Sequence, residues 1–192
     1  MNYIENVATT FEKFTKYLEK ERSKDLKTIG RITNGLEKWL TFEFYLWLLM
    51  ENEGMKPGHG SEETTDVGLE YRVLINREKT KTGKPKKKQC DIFIRSSKGF
   101  HYVEIKAPIN NGNCSKVLAS AVNDLRYMKK IKQQEDPSTG NLIVFGIGFD
   151  DEDWKNAKNK ITNDSGLPCA NGSKKRELIS NIRWGVWTKE YR

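Results

Sequence analysis

The sequence is poor in the residues that bind zinc. Its three cysteines, Cys90, Cys114 and Cys169, form no CxxC pair, and its two histidines, His59 and His101, lie far apart. A structural zinc site needs four such ligands, usually in closely spaced pairs. The composition therefore argues against zinc chemistry.

Long apolar segments are also missing. No stretch reaches about 18 consecutive apolar residues, the length that a membrane-spanning helix needs. The first residues, MNYIENVATTFEKF, lack the basic start and the apolar run of a signal peptide. Thr82-Gly-Lys is similar to part of a phosphate-binding loop, but the upstream glycine of a Walker motif is absent and Pro85 follows. We expect a cytoplasmic protein without a membrane partner, and no nucleoside triphosphate site at this loop.

What the sequence does contain is an excess of positive charge and many aromatic residues. Its 192 residues include 34 Lys and Arg against 26 Asp and Glu, which gives a formal net charge of +8. This balance favours anionic partners such as nucleic acid. The 8 Phe, 7 Tyr and 5 Trp residues indicate a folded chain. The length fits one domain over residues 1–192.

Hydrophobic periodicity predicts an α/β fold with nine elements. An amphipathic helix near the N-terminus precedes an apolar, buried helix that begins near Thr33 or Asn34 and ends at Gly54. A loop over residues 54–66 follows, and SNIRWGVWTKE is predicted to be the last strand. Between them we predict three strands, a helix, a buried strand and a short helix, over Val67–Ile75, Gln89–Arg95, Phe100–Ala107, Lys116–Gln134, Asn141–Phe149 and Asp150–Ile161.

The segment QCDIFIRSSKGFHYVEIKAP carries ionisable residues whose relative positions follow from strand geometry. If SSKG forms a hairpin loop, Arg95 faces Phe100, and counting back puts Asp91 opposite Glu104, with Cβ atoms about 5 Å apart. Lys106 projects from the same face as Glu104 because the two are two residues apart. Two carboxylates and one lysine are therefore expected to converge.

Carboxylates this close together repel each other unless a cation neutralises them. Glu104 also lies between the apolar residues Val103 and Ile105, where a charged side chain is costly without a partner. Hard oxygen ligands favour a divalent cation, and magnesium fits best. The pattern therefore predicts a metal site.

Asp91, a short hairpin and Glu104-Ile105-Lys106 together resemble the motif of the PD-(D/E)xK phosphodiesterase superfamily, the restriction-endonuclease-like nucleases. That family's core is a helix, three antiparallel strands, a helix and a further strand (αβββαβ), an order that matches residues 33–149. The resemblance implies a mixed central sheet flanked by helices, with an extra N-terminal helix and a C-terminal helix and strand. Cys90 stands where the family name expects proline.

The resemblance also implies a role for each residue of the motif. Asp91, Glu104 and the backbone carbonyl of Ile105 would bind Mg²⁺ or Mn²⁺, and Lys106 would orient the attacking water and stabilise its hydroxide form. The implied activity is hydrolysis of phosphodiester bonds in DNA by an endonuclease of restriction, defence or repair. RNA is the other candidate substrate.

A further acid from the buried helix is expected near the metal. Glu43 is the charged residue that interrupts an apolar stripe of this helix, and we prefer it to Glu37, which at the helix start has a simpler explanation as an N-terminal acid. Glu70, between Leu69 and Tyr71, is either a metal or supporting group or an exposed strand residue.

Lysines crowd the predicted loop before Asp91 and form a candidate phosphate-binding surface, although a lysine-rich loop can also serve solubility alone. Polar residues of the following helix, among them Ser120, Asn123 and Asp124, could also meet the site or solvent. The nuclease could act as a homodimer or within a larger complex, and the alternative is a non-catalytic module that binds nucleic acid or protein. The residues expected to contact nucleic acid are Lys84, Lys86, Lys87, Lys88 and Lys116.

Overall fold

The computed structural model describes residues 3–29, 35–59, 65–97, 99–109, 114–131, 138–173 and 182–191. Within these ranges the chain forms five α-helices and seven β-strands. The helices are α1 Val7–Glu21, α2 Ser23–Ile29, α3 Leu36–Glu51, α4 Cys114–Met128 and α5 Asp151–Ser165. The strands are β1 Pro57–His59, β2 Val67–Lys79, β3 Pro85–Arg95, β4 Phe100–Lys106, β5 Ser138–Gly146, β6 Cys169–Ser173 and β7 Arg183–Tyr191.

All seven strands belong to one mixed sheet with the order β1-β2-β3-β4-β5-β7-β6. Strands β2, β3 and β4 are joined as two antiparallel hairpins, and β4 runs parallel to β5. The apolar run in β5 predicts a central strand with a parallel neighbour, and this prediction is confirmed because β5 lies between β4 and β7. Parallel pairing requires a crossover, which α4 provides.

Helices cover both faces of the sheet and create two hydrophobic cores. The first core joins α1, α2 and α3 to one face, where Phe11 and Phe44 pack with Ile92 and Ile105. The second core joins α4 and α5 to the other face. Its largest buried members include Trp187, Phe93, Tyr102, Phe149 and Trp154.

The structure adds three elements that the sequence pattern does not predict, namely α2, β1 and β6. Strand β1 falls within the predicted loop over residues 54–66. The lysine-rich loop is also shorter than predicted, because β2 runs on to Lys79 and β3 already begins at Pro85. Lys86, Lys87 and Lys88 therefore lie on a strand. The predicted start of the second helix, Thr33 or Asn34, lies outside the described residues.

Among the residues that the structure describes, no helix combines the length and the apolar character needed to span a membrane.

Candidate active site

The hairpin of β3 and β4 has the register that the sequence predicts. Arg95 pairs with Phe100, and the pairing continues to Ile92 opposite Val103. At the next position the carboxylate of Asp91 accepts a hydrogen bond of 2.7 Å from the backbone N–H of Ile105. This contact fixes the Asp91 side chain beside β4, close to the residues that precede and follow Ile105.

The regular alternation of side chains breaks where Asp91 lies. Cys90 packs in the α4 core whereas Ile92 packs in the α3 core, although residues two apart on a regular strand share a face. On β2, Leu69 and Tyr71 change face in the same way. Glu70 between them has a φ of 52°, in the left-handed region that a non-glycine residue rarely adopts. Both strands are therefore irregular at the level of Asp91, as backbones at functional sites often are.

Glu104 and Lys106 project towards α4 and meet its buried acid, Asp124. The Lys106 ammonium Nζ lies 3.5 Å from Glu104 Oε1 and 3.4 Å from Asp124 Oδ2. Lys88 approaches the same two acids from β3, with its Nζ 3.1 Å from Glu104 Oε1 and 2.9 Å from Asp124 Oδ1. Two ammonium groups thus bridge one pair of carboxylates.

Burial and neighbouring acids disfavour the charged form of Glu104. The side chain is 6% exposed, and its second oxygen, Oε2, has no hydrogen-bond partner among the described residues. Burial, and then repulsion by Asp91 and Asp124, raises the pKa of Glu104 to about 8. Burial likewise raises the pKa of Asp91, although the hydrogen bond from the Ile105 N–H opposes the rise. Both carboxyl groups therefore hold their protons more tightly than they would in water.

Both lysines keep their protons at neutral pH. Burial acts to lower the pKa of Lys106, but the carboxylates of Glu104 and Glu37 outweigh it and raise the pKa. Lys88 behaves in the same way, since Glu104 and Asp124 outweigh the effect of burial. The lysines act here as fixed positive charges.

The acid that α3 places beside Lys106 is Glu37, whereas Glu43, the acid preferred from the sequence, lies against α1. Glu37 Oε1 lies 3.1 Å from Lys106 Nζ. Glu43 instead accepts hydrogen bonds from the Tyr17 hydroxyl at 2.9 Å and from Arg22 Nε at 2.6 Å. The apolar stripe of α3 faces α1, so a charged residue on that stripe meets α1, whereas the first turn of α3 lies at the end of β4.

A cleft of about 380 Å³ opens beside Asp91. Glu70 lies in this cleft, mostly exposed, and its carboxylate is 3.3 Å from His59 Nε2. A larger groove of about 600 Å³ lies elsewhere, against the N-terminal residues and the end of α3. The smaller cleft is the candidate entrance to the site because Glu37 and Asp91 line it. Its lining consists of Glu37, Lys38, Thr41, Phe42, His59, Leu69, Glu70 and Asp91.

The lysines predicted to bind nucleic acid have different environments. Lys84, Lys87 and Lys116 are exposed, which is compatible with that prediction. Lys88 is not a free surface lysine, because its side chain is 20% exposed and pairs with two acids. The Lys86 side chain lies outside the described part of the structure.

The cluster formed by Glu37, Asp91, Glu104, Asp124, Lys88 and Lys106 contains more acidic than basic groups. Glu37, Asp91, Glu104 and Asp124 supply four carboxylates, while Lys88 and Lys106 supply two ammonium groups, so two negative charges remain when all are ionised. Among the residues that the structure describes, no donor reaches the buried Oε2 of Glu104. In the described ranges no three Asp, Glu, His or Cys side chains are close enough to enclose a metal. Lysine ammonium groups lie between the acids instead.

The sequence alone does not predict that Asp124 and Lys88 belong to the cluster. Asp124 belongs to a group of helix residues expected to meet either the site or solvent, and only its burial in the fold separates it from Asn123. Nothing in the sequence indicates that Lys88 lies near the site, because regular alternation along a strand would put it on the face opposite Asp91. Because of the irregularity at Asp91, Lys88 contacts Asp124 of α4 and Cys90 packs in the core on the same side.

Comparison of the chain with protein-family models, with curated proteins and with solved structures returned no significant match.

Proposed function

We propose that this protein is a magnesium-dependent nuclease that hydrolyses phosphodiester bonds in DNA. The observation that carries the proposal is the buried oxygen of Glu104, which has no hydrogen-bond partner in the described part of the chain, within a cluster that holds an excess of acid. The cluster also borders a cleft. Buried acids with raised pKa values, next to a cleft, are typical of functional sites.

The order of elements supports a restriction-endonuclease-like core. Helix α3 is followed by the antiparallel strands β2, β3 and β4, by helix α4 and by strand β5, which pairs parallel with β4. This succession is the αβββαβ order that the motif implies. Asp91 lies within β3, Glu104 and Lys106 lie at the end of β4, and Asp91 lines the cleft.

Asp91 and Glu104 are the residues that would hold Mg²⁺, and the backbone carbonyl of Ile105 remains a predicted third ligand. When bound, the cation would lower the pKa of a water molecule and offset charge that builds up on the phosphate. Asp91 suits this role because the Ile105 N–H holds its carboxylate in one orientation.

In this proposal Lys106 would act on the attacking water. Its ammonium group is held by acids from three elements, Glu104 on β4, Glu37 on α3 and Asp124 on α4. A protonated amine in this position donates hydrogen bonds to a water molecule and stabilises the negative charge that forms when the water loses a proton. Glu37 orients Lys106 from the side that faces the cleft.

The experiment that tests this function is a cleavage assay with supercoiled plasmid DNA and, separately, single-stranded RNA in MgCl₂. We expect nicked and linear plasmid, no product in EDTA, and a rate at least about a hundredfold lower for Lys106→Met. Lys155→Met, which changes an exposed lysine on α5, should cleave like the wild type. A folded, magnesium-saturated protein that leaves both substrates intact would contradict the proposal and favour a non-catalytic binding module.

A further inference from the structure

Lys88 is the most unusual residue of the cluster, because it is a second lysine that the nuclease motif does not account for. Its ammonium group lies 2.9 Å from Asp124 and 3.1 Å from Glu104. These acids come from α4 and β4, whereas Lys88 is on β3. A single positive charge therefore joins three elements at the point where acids are most concentrated.

The Lys88 ammonium group occupies the position between acids that a bound metal cation would occupy. It lies between two carboxylate oxygens from different elements, and no described residue pairs with the other oxygen of Glu104. Lys88 contributes one positive charge, but the cluster still carries two more carboxylates than ammonium groups. A divalent cation between the same acids would neutralise more charge and would offer Glu104 Oε2 a partner.

We propose that Lys88 is a resident counter-ion that a divalent cation displaces, and that Asp124 binds this cation together with Asp91 and Glu104. The inference rests on the proposed function, since it assumes a metal site at these residues. It adds a third acid from α4 and a lysine whose departure accompanies metal binding. The affinity for the metal then depends partly on competition between the metal and the Lys88 ammonium group for the same carboxylates.

Lys88 is better suited to leave than Lys106. The Lys88 side chain is 20% exposed against 9% for Lys106, so the path of Lys88 to solvent is shorter. Lys106 also has a third acid, Glu37, at 3.1 Å, which holds it in place when the other two acids bind metal. Lys88 can therefore move outward while Lys106 remains beside the acids.

The test is titration of the full-length protein with MnCl₂ in a calorimeter, comparing wild type, Lys88→Met and Asp124→Asn. Methionine keeps most of the volume of lysine and removes its charge. We expect Lys88→Met to bind Mn²⁺ at least about tenfold more tightly than wild type, because no ammonium group has to be displaced. Asp124→Asn should bind at least about tenfold more weakly.

Two controls separate charge from structure. Lys88→Arg keeps a cation and should not gain affinity, and Lys155→Met removes a lysine charge from an exposed site on α5 and should bind like wild type. If Lys88→Met does not fold, Lys88→Gln takes its place, and the weaker binding of Asp124→Asn is tested independently.

The outcomes distinguish this inference from the function on which it rests. Wild type that binds Mn²⁺ and cleaves DNA, while Lys88→Met binds with equal or lower affinity, would overturn the competition and leave the nuclease proposal intact. Equal affinity in Asp124→Asn would remove Asp124 from the ligands. No Mn²⁺ binding by wild type or by Lys88→Met would overturn both proposals together.

Discussion

The ammonium group of Lys106 lies 3.1 Å from the carboxylate of Glu37, the acid in the first turn of α3. This pair ties the start of a helix on one face of the sheet to a lysine whose other acidic partners, Glu104 and Asp124, lie towards α4. The end of β4 is therefore enclosed from both faces.

The two acids of α3 should have separable effects. Glu37→Gln should lower the rate of plasmid cleavage about tenfold, because Lys106 loses a charged partner that orients it, and should change stability little. Glu43→Gln should leave the rate unchanged and lower the free energy of unfolding by about 1 kcal/mol, because Arg22 and Tyr17 lose a carboxylate partner. Cleavage assays and urea titrations measure the two effects. A lower cleavage rate for Glu43→Gln, with an unchanged rate for Glu37→Gln, would show that Glu43 and not Glu37 acts at the site.

Glu104 should make the metal-free protein less stable as the pH rises. Its pKa in the folded state is about 8, against an ordinary value of 4.5, so the folded state binds the proton more tightly than the unfolded state does. Stability from this group is fully present below about pH 4.5 and is lost as the pH rises to about 8.

Glu104→Gln tests this dependence because glutamine carries no titrating charge. At pH 8 and in EDTA, we expect the variant to unfold with a free energy on the order of 4 kcal/mol higher than wild type, with little difference near pH 4.5. Urea unfolding across this range measures the difference. A variant that is less stable than wild type at pH 8 would show that the charged form of Glu104 is favoured.

His101 should have the opposite dependence. Burial lowers the pKa of His101 below 6.5, and the ring lies between the Ile4 carbonyl at 2.9 Å and the Thr139 hydroxyl at 2.7 Å. Since the folded state disfavours the proton, stability from this group is present above about pH 6.5 and falls as the pH drops. The stability difference between wild type and His101→Gln should therefore shrink from pH 7.5 to pH 5.5. A difference that grows would mean that the protonated ring is favoured.

The backbone strain at Glu70 predicts an unusual response to glycine. Glu70→Gly should raise the free energy of unfolding by roughly 0.5–1 kcal/mol, because glycine adopts a φ of 52° without steric cost. Arg72→Gly, on the same strand and also exposed, should lower it by a similar amount. Thermal unfolding compares the two. Equal destabilisation by both substitutions would argue against strain at Glu70.

The hairpin register could be predicted because it depends on local rules, a short loop and the alternation of side chains along a strand. From Arg95 opposite Phe100, the same rules bring Asp91 and Glu104 close together. They fail for Lys88, because the strand is irregular at Asp91 and residues before it change face. No pattern in a single sequence marks that change.

The choice between Glu37 and Glu43 could not be made from helix periodicity. A stripe that includes Leu40, Glu43 and Trp47 identifies a buried face of α3 but not the element that covers it. Helix α1 covers this face, and Arg22 at its end pairs with Glu43. The additional strands β1 and β6 could not be predicted either, because β1 has three residues and β6, CANGS, has none of the β-branched and aromatic residues typical of strands.

The most direct test of the metal site is a crystal soaked in MnCl₂ and measured at a wavelength where manganese scatters anomalously. We predict one anomalous peak within about 2.5 Å of carboxylate oxygens from both Asp91 and Glu104, with Lys106 still beside them. The account would be contradicted by a fully soaked crystal without a peak at this cluster, in which Lys88 and Lys106 still bridge Glu104 and Asp124.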